Sequence, residues 1–309
     1  MHSRRSVIAL GMVLSILTAA CDGDSPPAAS DSAKMVAQPK PRIVRPAINP
    51  GWNEAIGPLL VVPPPEGSLG AAIVLPEVTD SVLAASASLP VDSFANISIE
   101  LLNRQGKVGD AVIAGVDQRA PTDACPAWPQ ARIAGSPAAG WKIGFAKGRA
   151  TAISLDSLER VSPSDSAAIT MESARLASRV PGTSDPEFQG LPFAVRHAFR
   201  FRIGATSVVV ANVVRKINQE ANPREEHILL IAERESGRSA YEEAFHARTT
   251  GLEDVVQTSE VLAALRIAET GRTALIIHRE GEEGGRIALI ERRGAGNWNM
   301  RWVSAYAGC

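Results

Sequence analysis

Sulfur, imidazole and aromatic rings are scarce in this chain of 309 residues. It carries three cysteines, five histidines and 5% aromatic side chains. No His or Cys stands at a spacing that would bring local ligand pairs onto one metal, so neither a metal site nor another cofactor is expected. Local catalytic signatures are missing too. There is no Gly-x-Ser-x-Gly elbow, no Ser-x-x-Lys and no His-Glu-x-x-His, and the glycine-bearing stretch 144–151 lacks phosphate-loop spacing. A charge surplus of one useful sign is also lacking. Residues 1–20 hold two arginines and no acids, which leaves 30 basic against 33 acidic side chains beyond them, a formal charge of −3. Nucleic acid, which demands a basic face, is therefore not an expected partner. After Ala20 no apolar run is long enough to span a bilayer.

What is present begins at the amino terminus. Arg4-Arg5 precede an uncharged, mostly apolar run from Ser6 to Ala20, which closes with Leu17-Thr18-Ala19-Ala20 before Cys21. A basic start, a short apolar centre and small residues at its end make residues 1–20 a signal peptide, too short for a stable membrane span. The small residues directly before Cys21 resemble the lipobox of bacterial lipoproteins, a resemblance that covers about 21 residues. It implies cleavage between Ala20 and Cys21, acylation of the Cys21 thiol, and anchoring through fatty acyl chains such as palmitate. The membrane, reached through that lipid, is then the expected partner, and the cell envelope, facing the periplasm or the exterior, the expected location. A secretory signal cut after Thr18-Ala19-Ala20 is the plainer alternative. Ser3-Arg4-Arg5-Ser6-Val7-Ile8 also resembles the twin-arginine export pattern, beside the general secretory route. Residues 21–55, rich in Ala, Ser and Pro with few large apolar side chains, cannot bury enough surface to offset ordering and read as a disordered tether.

Residues 56–309 read as a single β-rich domain, divisible into lobes 56–160 and 190–309. Ile97, Ile99 and Leu101 alternate with polar residues as in a half-buried strand, and 108–116 can return beside it. Residues 141–145 and 150–155 suggest a hairpin around Lys147-Gly148. One helix is predicted near 163–178, with Ser162 as its cap, Pro163 at its first position and Pro181-Gly182 beyond its end. Phe193–Ile203, Val208–Ile217 and Ile228–Ala232 make one meander with the middle run at its centre, and His197 falls on the core-facing row. Runs at 273–279, 286–292 and 297–304 make a second meander. The expected class is α+β: mostly antiparallel β, in two meanders, with one main helix.

Few residues stand out for chemistry. The stretch 218–227 gathers Glu220, Glu225, Glu226 and His227, which are raw material for acid-base work or, more plainly, a solvated connection between strands. Trp298, Met300 and Trp302 share one face of the last run, as a core wall or as an aromatic binding platform. With Cys21 acylated, Cys125 and Cys309 remain in an oxidising compartment and are expected to pair as a disulfide. With any catalytic set dispersed, the expected function is a lipid-anchored, non-enzymatic binding or envelope-associated module. An exported hydrolase with a dispersed active site is the alternative.

Overall fold

In the computed structural model every residue from Glu225 to Glu233 is buried. Successive strand side chains point to opposite faces, so such a run needs cover on both sides. The sheet that holds it must be an inner layer. The structure describes residues 52–53, 57–63, 71–74, 94–117, 128–135, 139–181, 185–218, 222–282 and 284–308, all within one unit, Ala47–Cys309. The signal peptide, nearly all of the tether, Glu220 and all three cysteines lie outside the described residues, and with them the expected lipidation and disulfide.

β1 (Trp52–Asn53) and β2 (Gly57–Pro58) form a two-residue ladder. Six strands then close into an antiparallel barrel: β3 (Leu60–Val62), β4 (Ala71–Val74), β5 (Ser98–Asn103), β6 (Gly106–Asp117), β7 (Gln130–Ala134) and β8 (Ile143–Ala146), in the order β3-β4-β7-β6-β5-β8. Val61, Ile73, Ile99, Leu101 and Ile113 pack together in its core, since so small a barrel has room only for side chains. Gly144 is required by that crowding. A Cβ there would stand 3.0 Å from Ile99 Cδ1 and 3.3 Å from Val61 Cβ.

At Lys147-Gly148 the chain leaves the barrel. The expected hairpin around this turn does not form, because β8 already has β3 on one edge and β5 on the other. β9 (Ala150–Ile153) pairs instead with residues 264–267 of a separate sheet. After β10 (Asp156–Ser157) comes α1 (Pro163–Ala177), where Ser162 caps the helix by accepting from Asp165 N and Pro163 occupies the first turn. β11 (Ala194–Ile203), β12 (Thr206–Ile217), β13 (Arg224–Arg234) and β14 (Glu242–Leu252) follow, giving a five-stranded sheet in the order β10-β11-β12-β13-β14. β15 (Thr258–Ile267), β16 (Thr273–Gly281), β17 (Gly284–Gly294) and β18 (Asn297–Val303) build the six-stranded sheet β18-β17-β16-β15-β9, and β19 (Ala307–Gly308) pairs with the start of β17.

Three apolar seams join these parts as layers. Ile169, Leu176 and Ala177 of α1 pack on Val209, Ala211, Ile228 and Leu230 of the five-stranded sheet. The other face of that sheet, with Val208, Val210, Leu229 and Ile231, meets Leu275, Ile277, Ala288 and Ile290 of the six-stranded sheet. The far face of the latter, with Leu265, Ile276 and Leu289, meets Leu60, Leu102 and Phe145 of the barrel. Strands with both faces covered read as continuous apolar runs, which explains Val208–Val210 and Ala274–Ile277.

The α+β class is therefore corrected to all-β. Strand accounts for 61% of the described residues and helix for 9%. α1 forms where the sequence predicts it, yet it only roofs one face of a sheet. A second correction concerns His197, which is exposed. The β11–β12 register shifts between Val195 and His197, and that bulge moves Val195 to the α1 side of the sheet; His197 keeps its alternation with Phe199 but stands near the start of β11, where the row is not covered.

Candidate functional site

Strand alternation decides the fate of the carboxylates at 225–227. β13 begins at Arg224, so these residues lie inside a strand rather than in a solvated connection, and Glu225, Glu226 and His227 are at most 6% exposed. Glu225, His227 and Glu233 share the face that carries Leu229 and Ile231 toward the six-stranded sheet; Glu226 shares the face of Ile228 and Leu230, toward α1. A cluster contiguous in sequence is thereby split into separate networks.

On the inner face His227 Nε2 and Glu225 Oε2 are 2.5 Å apart, and Lys216 Nζ pairs with Glu225 and, at 3.0 Å, with Glu253 Oε1. Burial pushes the Glu225 carboxyl up, but Lys216 and His227 outweigh it and hold it below its ordinary value. For His227 burial is the largest influence and lowers the pKa; Arg196 and Lys216 add to that, against the pull of Glu225. The imidazole is neutral and donates from Nε2 to the carboxylate. Both groups have folded values below their unfolded ones, so the unfolded chain takes up protons first as pH falls. Their contribution to stability is full above about pH 6.5, the unfolded His value, and is lost as pH drops through the folded values. Urea midpoints should accordingly decline from about pH 7 to pH 5, and His227→Gln should flatten that segment. An unchanged slope in the variant would contradict a neutral, buried His227.

Glu233 is 5% exposed and accepts four hydrogen bonds. Arg292 donates from Nε to Oε1 (2.6 Å) and from Nη2 to Oε2 (2.7 Å), Trp298 Nε1 to Oε1 (2.6 Å) and Gly296 N to Oε2 (2.9 Å). Burial raises the Glu233 carboxyl, and these donors more than reverse it. The carboxylate thus ties β13 of one sheet to the β17–β18 turn of the other. Trp298 is consequently a wall residue, 3% exposed. Trp302 does not share its face. Leu289 pairs with Trp302 but Ile290 with Met300, so Arg301 is an extra residue in β18. That bulge sends Trp302 to the barrel side, whereas Trp298 and Met300 pack in the seam between the sheets. The predicted three-residue stripe is two faces.

Beside the Glu233 network lies a cleft of about 180 Å³, lined by Arg266, Arg272, Thr273, Arg292 and Arg293 with Ile203, Gly271 and Gly294. Arg266 is the last residue but one of β15, Arg272 directly precedes Thr273 at the start of β16, and Arg292 to Gly294 end β17, so an antiparallel meander gathers them at one edge. Arg266 pairs in register with Thr273. Two buried carboxylates stand behind these cations. Glu233 holds Arg292, while Glu291, 2% exposed, lies 3.3 Å from Arg293 Nη1 and 3.7 Å from Arg272 Nη1. Glu291 Oε2 is buried without a hydrogen bond, so its hold on Arg293 is charge attraction alone. Sequence reading missed this site because its arginines are spread over 28 positions. The available signal was that each sits at the same end of successive runs of one meander.

Among the described residues no group of three or more His, Cys, Asp and Glu is placed to hold a metal ion, and no helix is long and apolar enough to cross a membrane. No protein-family model, curated protein or solved structure matches the chain.

Proposed function

We propose that the chain is a lipid-anchored binding module of the bacterial cell envelope, without a catalytic role. Cys21, acylated, holds it to the membrane; residues 21–55 give it reach; the layered β body presents the arginine cleft. The observation that carries this reading is the cleft wall itself. Its side chains are four guanidiniums, one hydroxyl and one aliphatic group, and guanidinium cannot act as a base at physiological pH. The carboxylates paired with these arginines, Glu233 and Glu291, are buried. Such a wall recognises charge and shape without exchanging protons.

Fractionation of a bacterial host expressing the full chain tests the reading. Wild type should remain with membranes after a high-salt wash, because an anchor of two or three acyl chains is near permanent, and Cys21→Ser should move to the soluble fraction. A Ser variant that stays on washed membranes overturns lipid anchoring. Turnover of ester or peptide substrates that is lost in His227→Ala overturns the non-catalytic part.

A further inference from the structure

We infer that the arginine cleft is a site for a dianionic phosphoryl group, either free phosphate or the terminal phosphate of a larger molecule. This rests on the reading of the cleft as the recognition surface and names what it recognises. Charge comes first. Arg266, Arg272, Arg292 and Arg293 bring four positive charges to one small space; the buried Glu233 and Glu291 pair with Arg292, Arg272 and Arg293, and the exposed Glu235 acts on Arg292 from further away. Positive charge remains in excess, and a phosphate monoester, dianionic or nearly so near pH 7, neutralises it.

Donor geometry points the same way. Arg292 is fixed by a bidentate pair with Glu233 and cannot swing away. Arg272 and Arg293 are held toward Glu291 only at 3.7 and 3.3 Å, distances beyond an ordinary charge-assisted hydrogen bond, so their remaining donors are available to a ligand. Arg266 is exposed and stands across the ladder from Thr273, a lining residue whose hydroxyl adds a further donor. Donors arriving from β15, β16 and β17 surround a tetrahedral oxyanion from several sides, whereas a planar carboxylate is served by one guanidinium fork. Size completes the argument. At about 30 Å³ per water, the space equals roughly six waters, enough for a phosphoryl group and the atom that bears it but below the range of pockets that enclose a whole drug-sized ligand.

The test uses the full chain carrying Cys21→Ser, exported and purified free of phosphate and sulfate. Titration calorimetry with sodium phosphate and with glycerol 3-phosphate should give saturable 1:1 binding that weakens with salt, and that weakens as pH falls through the ligand's second pKa, roughly 6 for the ester and higher for free phosphate. Arg266→Gln should reduce affinity roughly tenfold or more, while Arg160→Gln, in an exposed turn before α1 and outside the cleft, should leave it unchanged. Vesicles with phosphatidic acid distinguish a lipid source: binding to them above free phosphate, again lost in Arg266→Gln, assigns the group to a lipid headgroup, and preference for the soluble esters assigns it to a small molecule. No saturation below roughly 10 mM in any arm, equal affinity in Arg266→Gln, or equal affinity for succinate overturns the inference. None of those failures touches membrane attachment through Cys21, which the fractionation reads separately.

Discussion

Replacing Glu233 by Ala should lower the unfolding free energy by about 3 to 5 kcal/mol, the range for removing one partner of a buried ion pair. The residue sits at the junction of the two sheets. Its loss leaves the Arg292 guanidinium, the Trp298 indole N–H and the Gly296 N–H without their acceptor. Against a typical total of about 5 to 15 kcal/mol, that is a large fraction of the whole. Urea denaturation followed by tryptophan fluorescence would measure it. Two companions separate charge from packing. Glu233→Gln keeps an acceptor for Trp298 but cannot neutralise Arg292, and should fall between wild type and Ala. Glu233→Leu combined with Arg292→Leu removes both charges and should recover most of the loss. Because the Glu233 carboxyl lies below its ordinary value in the folded state, its contribution is full above about pH 4.3 and is lost as pH falls through the folded value. The double variant should lose that acid limb. A Glu233→Ala protein within 1 kcal/mol of wild type, on the scale of an exposed ion pair, would show that the junction carries no such weight.

Glu226→Ala should cost as much, toward the upper end of about 3 to 5 kcal/mol, because two cations depend on the one carboxylate. Glu226 is 0% exposed. Arg215 donates from Nε to Oε2 at 2.5 Å and Arg248 from Nη1 to Oε1 at 3.1 Å. Arg215 also lies over the Phe193 ring, 4.6 Å from its centroid, and Arg248 Nη2 donates to Val180 O beyond α1. This triad closes the outer face of the five-stranded sheet where α1 no longer covers it. Arg248 Nε is already buried without a partner, so the site has no spare acceptor to take up the loss. Glu226→Gln should be milder, since the amide oxygen still accepts from one arginine. Thermal melts of the three proteins would rank them wild type, Gln, Ala; an Ala variant equal to wild type would contradict a buried, paired Glu226.

How much of this was readable in advance follows from what each pattern encodes. The helix was legible because Ser162 and Pro163 are local signals of its start. Val208–Ile217 announced a central strand through its β-branched run. The layer count was not legible: two-sided burial looks the same whether the second cover is a helix, a sheet or a barrel. Bulges escaped for a similar reason. A single extra residue, as at Arg301, inverts every later side chain, and nothing in Asn297–Val303 marks it. The chemistry was the least legible part, since Glu233 meets Arg292 and Trp298 about 60 positions away and only the meeting of two sheets makes them neighbours.

The central structural claim is that the β12–β13 and β16–β17 pairs are inner layers, covered on both faces. Amide hydrogen exchange of the soluble Cys21→Ser chain tests it most directly, because exchange slows with the free energy needed to open each segment. Peptides covering 208–214, 228–233, 274–277 and 287–290 should be the slowest in the protein and should open only with global unfolding, while those of α1 and β10 should exchange sooner. Peptides of β16 and β17 that exchange as fast as those of α1 would contradict the layered architecture.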